Sequence, residues 1–242
     1  MLLKLYLMLV SSFDTKYSKT AIKYEYLDNN FTSVLSKYKK FSRIFTSVVE
    51  NKDLKLSTDI LLRSDITGQV INTILTHDYR SPHYLYYMGD IFKKDIVNNK
   101  IKQYRQHGVE IINRPKIESF REVVKILNKI LSMISKKDYI YIFTDPKIKN
   151  KKRFLLDENQ SKNTINKYIK IFNNTVKSPH YLNLEKNFFS KGYHQDIFFY
   201  VYSNKSKKVL AQGGGYQYQK NKKNIEGFGF SCNVDNLTDL VK

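Results

Sequence analysis

Apolar positions in this chain recur with two periods, and the switching between them lays out most of the elements. Ile117, Phe120, Val124, Leu127, Leu131 and Ile134 fall three or four residues apart, which predicts an amphipathic helix over 116–135 packed on a core. Ile165, Tyr168, Ile169, Phe172 and Val176 predict a weaker second helix, bounded by Ser178-Pro179. Ile66, Val70, Ile71, Ile74 and Leu75 predict a third, entered from the short apolar run Leu61-Leu62. Stretches rich in β-branched and aromatic residues predict strands at 83–94, 101–113, 138–144, 196–203, 207–212 and 226–232. Asn98-Asn99-Lys100, between the first two, reads as the tip of an antiparallel hairpin. The stretch 145–192 is polar, lysine-rich and poorly patterned, a looser segment interrupting the core. Strands in runs with helices between them predict an α+β fold with a mainly antiparallel sheet flanked by helices. No composition break divides it, so 1–242 is expected to be a single domain.

Charge adds a question to that picture. Lys and Arg number 42 against 22 acidic residues, a net charge of +20. Such a balance suits a nucleic-acid or acidic partner. It also suits an A+T-rich coding sequence, because Lys, Asn, Ile, Tyr and Phe are all heavily used while Gly (9) and Pro (4) are scarce. The lysines are spread along the chain, which favours the second reading, and nucleic acid is not the expected partner. The single Cys232 excludes an internal disulfide and fits a reducing compartment. Without a Cys pair or a His-Glu-x-x-His, neither a metal site nor a cofactor is expected. The apolar run from Met1 to Val10 is too short to span a bilayer and lacks a clean cleavage site. An amphipathic first helix and a cytoplasmic protein are expected, with no membrane association.

Candidate chemistry gathers in two places. Along the strand at 101–113, Lys102, Tyr104, Gln106, Gly108 and Glu110 share one face. Gly108 would leave a gap between an amide and a carboxylate, a setting for a small ligand carrying an amine or imidazole. The same residues could equally face water across a half-exposed sheet. Asp65 and Thr67 stand where the third helix begins. Ser64 or Asp65 could cap that helix, or Asp65 could accept a ligand ammonium group. Gly213-Gly214-Gly215 before Tyr216 is either a flexible turn or a place where backbone passes close to a bound molecule.

The order of these segments carries a resemblance. Leu62 to Val70 is similar to Leu-Arg-(Ala/Pro)-(Asp/Glu)-x-Thr-x-x-Val of histidyl-tRNA synthetases and their catalytically silent relatives. Tyr86 to Lys93 resembles the first arm of class II synthetase motif 2, and Lys102 to Glu110 its return arm, ending Gln-x-Gly-Val-Glu. Tyr193 to Tyr202 with Ala211 to Tyr216 resembles the (Tyr-Tyr-Thr-Gly)…(Ser-Gly-Gly-Arg-Tyr-Asp) segment, and Gly227 to Leu237 falls where motif 3 belongs. Glu25-Tyr26-Leu27-Asp28 resembles the end of motif 1, with Ile22 where that motif has proline. The resemblance implies a class II aminoacyl-tRNA synthetase-like core.

The departures imply a role. Adenylation builds charge on a phosphate, which guanidinium forks are suited to stabilise. The family's arginines fall at Lys93, Gly215 and Asn236, and near Phe189, while Tyr-Tyr-Thr-Gly has become Tyr193-His194-Gln195-Asp196. No anticodon-binding domain is expected after motif 3. Positions that would hold a free amino acid stay polar: Asp65, Thr67, Gln106, Glu110, Tyr193 and Tyr216. This pattern resembles the regulatory subunits of ATP phosphoribosyltransferase. The resemblance implies a non-catalytic partner of a short catalytic subunit in the first step of histidine biosynthesis, taking part in feedback inhibition by histidine. It also implies self-association through the motif 1 region. Asp65 or Glu110 would meet a ligand's cationic groups, with Gln106 and Thr67 orienting it. The alternatives are a divergent or truncated histidyl-tRNA synthetase and an RNA-binding module on the same fold.

Overall fold

The computed structural model describes residues 16–49, 62–94, 100–136, 138–144, 154–176, 178–182, 194–220 and 222–241. Their elements run α1 (Lys16–Leu35), β1 (Ser42–Arg43), α2 (Thr67–His77), β2 (His83–Lys94), β3 (Ile101–Ile112), α3 (Lys116–Ile134) and β4 (Tyr139–Thr144). They continue with α4 (Phe154–Thr175), β5 (His180–Leu182), β6 (His194–Ser203), β7 (Val209–Lys220), β8 (Lys223–Asn233) and α5 (Val234–Leu237). One eight-stranded sheet has the order β1-β2-β3-β8-β7-β6-β4-β5. Only its two edge pairings, β1–β2 and β4–β5, are parallel. The α+β class and the mainly antiparallel sheet expected from the pattern are present.

The periodic segments become the elements they predict, with instructive differences. The strand expected at 207–212 continues to Lys220, so Gly213-Gly214-Gly215 is not a turn but the middle of β7, paired with Phe230, Gly229 and Phe228. The helix read around 165–176 extends back to Phe154, placing regular structure inside the stretch expected to be loose. α1 was not anticipated as a helix, although Leu27, Phe31, Val34 and Leu35 fall at helical spacing and are all buried. Asn98 and Asn99 of the expected hairpin tip, residues 1–10 and Tyr193 lie outside the described residues.

Because side chains alternate along a strand, each strand of this sheet serves two layers. On one face, Val109 and Ile111 of β3 and Phe228 and Phe230 of β8 join a core with Leu27 and Phe31 of α1 and the buried stripe of α3. On the other face, among the described residues, α2 is the helix that covers the sheet: Ile66, Val70, Ile71, Ile74 and Leu75 pack on Tyr87, Ile91, Ile112, Tyr216 and Ile225. That smaller layer leaves part of the second face to polar side chains. The candidate site is there.

Candidate functional site

Five of the six residues expected to hold a ligand converge on the α2 face of the sheet. Glu110, from β3, is 1% exposed and has both oxygens engaged: Thr67 Oγ1 donates to Oε1 at 2.8 Å and the Tyr216 hydroxyl to Oε2 at 2.9 Å. Gln106 Nε2 donates to Asp65 Oδ1 at 3.2 Å, two positions earlier on the same strand face. Tyr87 ties the halves together, its hydroxyl 3.2 Å from Thr67 Oγ1 and 3.5 Å from Gln106 Nε2. The alternative, that this strand face meets water, holds for the exposed Lys102 and fails for Gln106 and Glu110, which are 4% and 1% exposed.

The gap expected beside Gly108 is filled. Gly108 is the register partner of Tyr87, and the Tyr87 ring lies where a Cβ on Gly108 would be. The same device seats the carboxylate, because a Cβ on Gly229 would overlap Glu110, its own register partner. These glycines are needed for close approach of a neighbouring side chain, not for an unusual backbone angle. Tyr87 was missed by sequence reasoning. Its place opposite Gly108 in the hairpin was the available signal.

The helix start also differs from expectation. Neither Ser64 nor Asp65 caps α2: the capping position is Ile66, with no side-chain cap bond. The Thr67 hydroxyl is directed to Glu110 and the Asp65 carboxylate to Gln106, so α2 enters the sheet through the site itself. Arg63, the neighbouring motif residue, leaves the site altogether. Its guanidinium reaches Thr46 O at 2.9 Å, Thr46 Oγ1 at 2.8 Å and Ser47 O at 3.1 Å, clamping the segment after β1. Burial draws its pKa below the ordinary arginine value.

Two neighbouring spaces, with Asp65, Gln212 and Ser231 in both walls, open on these residues. The one around Thr67, Glu110 and Tyr216 measures about 30 Å³, room for little more than a water. The second, about 260 Å³, is lined by Asp65, Gln106, Lys93, Tyr104, Ser231 and Asn233 among others. Gln106 lines the larger space, and among the described residues its buried Oε1 has no hydrogen-bond partner. An amide acceptor in that position calls for a donor from a ligand or solvent.

The positions where synthetases carry arginine separate here. Lys93 lines the larger cavity. Gly215 does not: it shares a face with Phe228, toward the helix layer, and its Cβ would lie 2.6 Å from that of Asp196. Asn236 lies in α5, where Asn233 Oδ1 accepts from its backbone N–H at 3.0 Å and its own Nδ2 donates to Val209 O at 2.7 Å. Of the three, Lys93 is the one whose side chain belongs to the cavity wall.

Behind the site, on the helix face of the same strand, Arg105 and His107 flank Gln106. Arg105 pairs with Asp28 of α1 through Nη2 and, at 3.1 Å, through Nε, and its backbone N–H donates to Asp235 Oδ2 at 2.8 Å. His107 Nε2 lies 2.9 Å from Asp28 Oδ1. Burial lowers the His107 pKa against the opposing pull of Asp28. Burial would raise that of Asp28, but the contacts from His107 and Arg105 more than offset it.

A sequence profile of histidyl-tRNA synthetases matches residues 31–174, more than half of the chain. The chain belongs to the histidyl-tRNA synthetase family. Among curated proteins it is similar to the ATP phosphoribosyltransferase regulatory subunit of Aquifex aeolicus, 27% identical over 206 residues, which are 68% of this chain and 53% of the relative. It thus spans about half the length of the curated relative it matches. Its fold is similar to that of an ATP phosphoribosyltransferase regulatory subunit/histidyl-tRNA synthetase from Bacillus halodurans, with a TM-score of 0.74, 14% identity and 92% of this chain and 80% of the other covered. The apo histidyl-tRNA synthetase of S. aureus superposes with a TM-score of 0.67 at 19% identity, covering 92% of this chain and 66% of that one. The ATP phosphoribosyl transferase (HisG:HisZ) complex from Thermotoga maritima gives a TM-score of 0.66 at 15% identity, covering 88% and 97%. The class II synthetase-like core is therefore the fold of this family member.

Proposed function

We propose that this chain is a non-catalytic regulatory subunit of an ATP phosphoribosyltransferase, acting with a short catalytic subunit in the first step of histidine biosynthesis. The observation that carries the reading is the pairing of an intact polar pocket with a lysine on the phosphate side. Thr67, Glu110 and Tyr216 form a buried set of hydroxyl and carboxylate groups suited to an imidazole. Asp65 and the free Gln106 Oε1 suit an ammonium group, and Lys93 a carboxylate. Lys93 supplies a point charge without the planar fork that a pentavalent phosphate would need. The similarity to the Aquifex aeolicus subunit points the same way.

In this reading a single domain over 1–242 takes up free histidine, a ligand it senses without activating. The side chain would displace the Tyr216 or Thr67 hydroxyl from Glu110, and the amino-acid end would occupy the larger cavity. Self-association through the motif 1 region, Ile22 to Asp28, would use the outer face of α1, where Ile22 is 64% exposed and Tyr26 42%. Among the described residues no helix is long and apolar enough to cross a membrane, and a cytoplasmic location accords with the proposed role.

Reconstitution tests the proposal. Adding the protein to the short catalytic subunit is expected to raise phosphoribosyl-ATP formation and confer inhibition by L-histidine. Unchanged activity would reject it. Histidine-dependent ATP–pyrophosphate exchange by this protein alone would favour the truncated-synthetase reading, which the retained pocket residues also fit.

A further inference from the structure

The hydroxyl protons of the site fix the direction in which its hydrogen bonds run. Thr67 has one such proton and donates it to Glu110 Oε1 at 2.8 Å. The 3.2 Å contact between Thr67 Oγ1 and the Tyr87 hydroxyl is therefore donated by Tyr87. With its single proton committed there, the Tyr87 oxygen accepts from Gln106 Nε2, 3.5 Å away. The other proton of that amide goes to Asp65 Oδ1 at 3.2 Å. These bonds run from the Gln106 amide through Tyr87 and Thr67 toward the Glu110 carboxylate. A reversed amide would set its oxygen against the Asp65 carboxylate and the Tyr87 oxygen, so Oε1 is turned away from both. This is the buried oxygen that has no hydrogen-bond partner among the described residues. The Tyr87 ring is held in place, since it is seated over Gly108, its register partner, and belongs to the buried cluster beneath α2.

We propose that Tyr87 is a positioning residue that sets the specificity of the site. By holding the Gln106 amide through its hydroxyl, it makes the larger cavity accept a ligand's hydrogen-donating amine and discriminate against a ligand of the same shape without one. The inference rests on the histidine-sensing function proposed above and deepens it. Asp65 cannot hold the amide alone once the site is filled. An incoming ammonium group competes with Gln106 Nε2 for the Asp65 carboxylate, and a charge-assisted bond is the stronger of the two. Tyr87 makes no contact with the ligand in this arrangement and keeps its hold on the amide. A phenylalanine would fill the same seat over Gly108 but leave one buried amide proton without an acceptor. The amide could then turn, and its oxygen would no longer be fixed as the acceptor for an amine.

The test compares two ligands by calorimetry on the full chain: L-histidine, and imidazole-4-propionate, which is histidine without its amine. The wild type is expected to bind histidine about tenfold or more tightly than the deaminated analogue. Y87F is expected to weaken histidine about tenfold and the analogue by about twofold or less, so the preference for the amine collapses. Q106L should remove the same preference, and adding Y87F to Q106L should cost nothing further, because the tyrosine acts through the amide. In the wild-type complex with histidine, NMR should show the Gln106 side-chain amide protons as two resolved, slowly exchanging signals. Rapid exchange of those protons would overturn the role of Tyr87 without recourse to any variant. Equal losses for both ligands in Y87F, additive losses in the double variant, or an unchanged preference would each reduce Tyr87 to a packing residue. A wild type that binds both ligands alike would overturn this inference and leave histidine sensing standing. A wild type that binds neither would overturn both.

Discussion

The two faces of the central sheet solve opposite problems with the same strands. Toward α1, α3 and α4, Phe120 stands at the centre of a dry aromatic cluster. It meets Tyr168 at 4.9 Å, Phe228 at 5.4 Å and Phe143 at 6.3 Å between ring centroids, all edge to face. Toward α2, Glu110, Thr67, Tyr87, Tyr216, Gln106 and Asp65 are buried nearly as deeply but answer one another by hydrogen bonds. The helix face is stabilised by area removed from water and by ring geometry. The α2 face carries polar groups whose desolvation is offset only while each finds a partner. One face can tolerate no cavity, and the other keeps one.

The largest effect is expected from breaking the aromatic face. Phe120→Ala should cost about 3–5 kcal/mol in urea unfolding, because the cavity lies among rings that cannot collapse into it. Cooperative unfolding at an unchanged midpoint would show that the centre of the core has been misplaced. On the opposite face, Gly229→Ala would push a methyl onto the Glu110 carboxylate and to 2.6 Å from the Val109 carbonyl oxygen. A backbone oxygen cannot step aside, so about 1–3 kcal/mol should be lost. Under the proposed function, the calorimetric signal of histidine binding should be lost with it.

Acid should loosen the seam between the faces. His107 binds a proton less readily folded than unfolded, so the unfolded chain takes up more protons below about pH 6.5, the ordinary histidine value. Its contribution is complete above that pH and declines as pH falls below it. Asp28, also lowered, adds a further loss on approaching its ordinary value near pH 4. His107→Gln should flatten the fall in stability just below pH 6.5 while leaving the steeper loss at lower pH. The smallest effect is expected from Tyr141→Phe. Among the described residues the buried Tyr141 hydroxyl has no hydrogen-bond partner, so removing it should be neutral or stabilising by up to about 1 kcal/mol. A clear loss would mean that a solvent bridge sits in the core.

How much of this was legible follows from where the information resides. β2 and β3 were read nearly to the residue, since alternation is a local property of a strand. α1 was overlooked because its buried positions Leu27, Phe31, Val34 and Leu35 are diluted by a polar first half. The candidate residues Asp65, Thr67, Gln106, Glu110 and Tyr216 were legible through family spacing, and they do meet. Their contacts were not. Gly108 promised an opening, and only the register with Tyr87 showed that a ring fills it. Gly215 looked like a lost arginine beside the ligand, and only the pleat showed that its position points to the helix layer.

The sequence by itself therefore determined the period of most elements, the α+β class and the set of polar residues available to a ligand. These depend on spacings within a few neighbours along the chain. Tertiary structure decided which of those residues face one another, how little space remains around Glu110, and that Arg63 serves the fold instead of the site. Such outcomes depend on strand register and on which face each side chain takes. A shift of one residue in either would exchange the two faces, and no local pattern records which pairing wins.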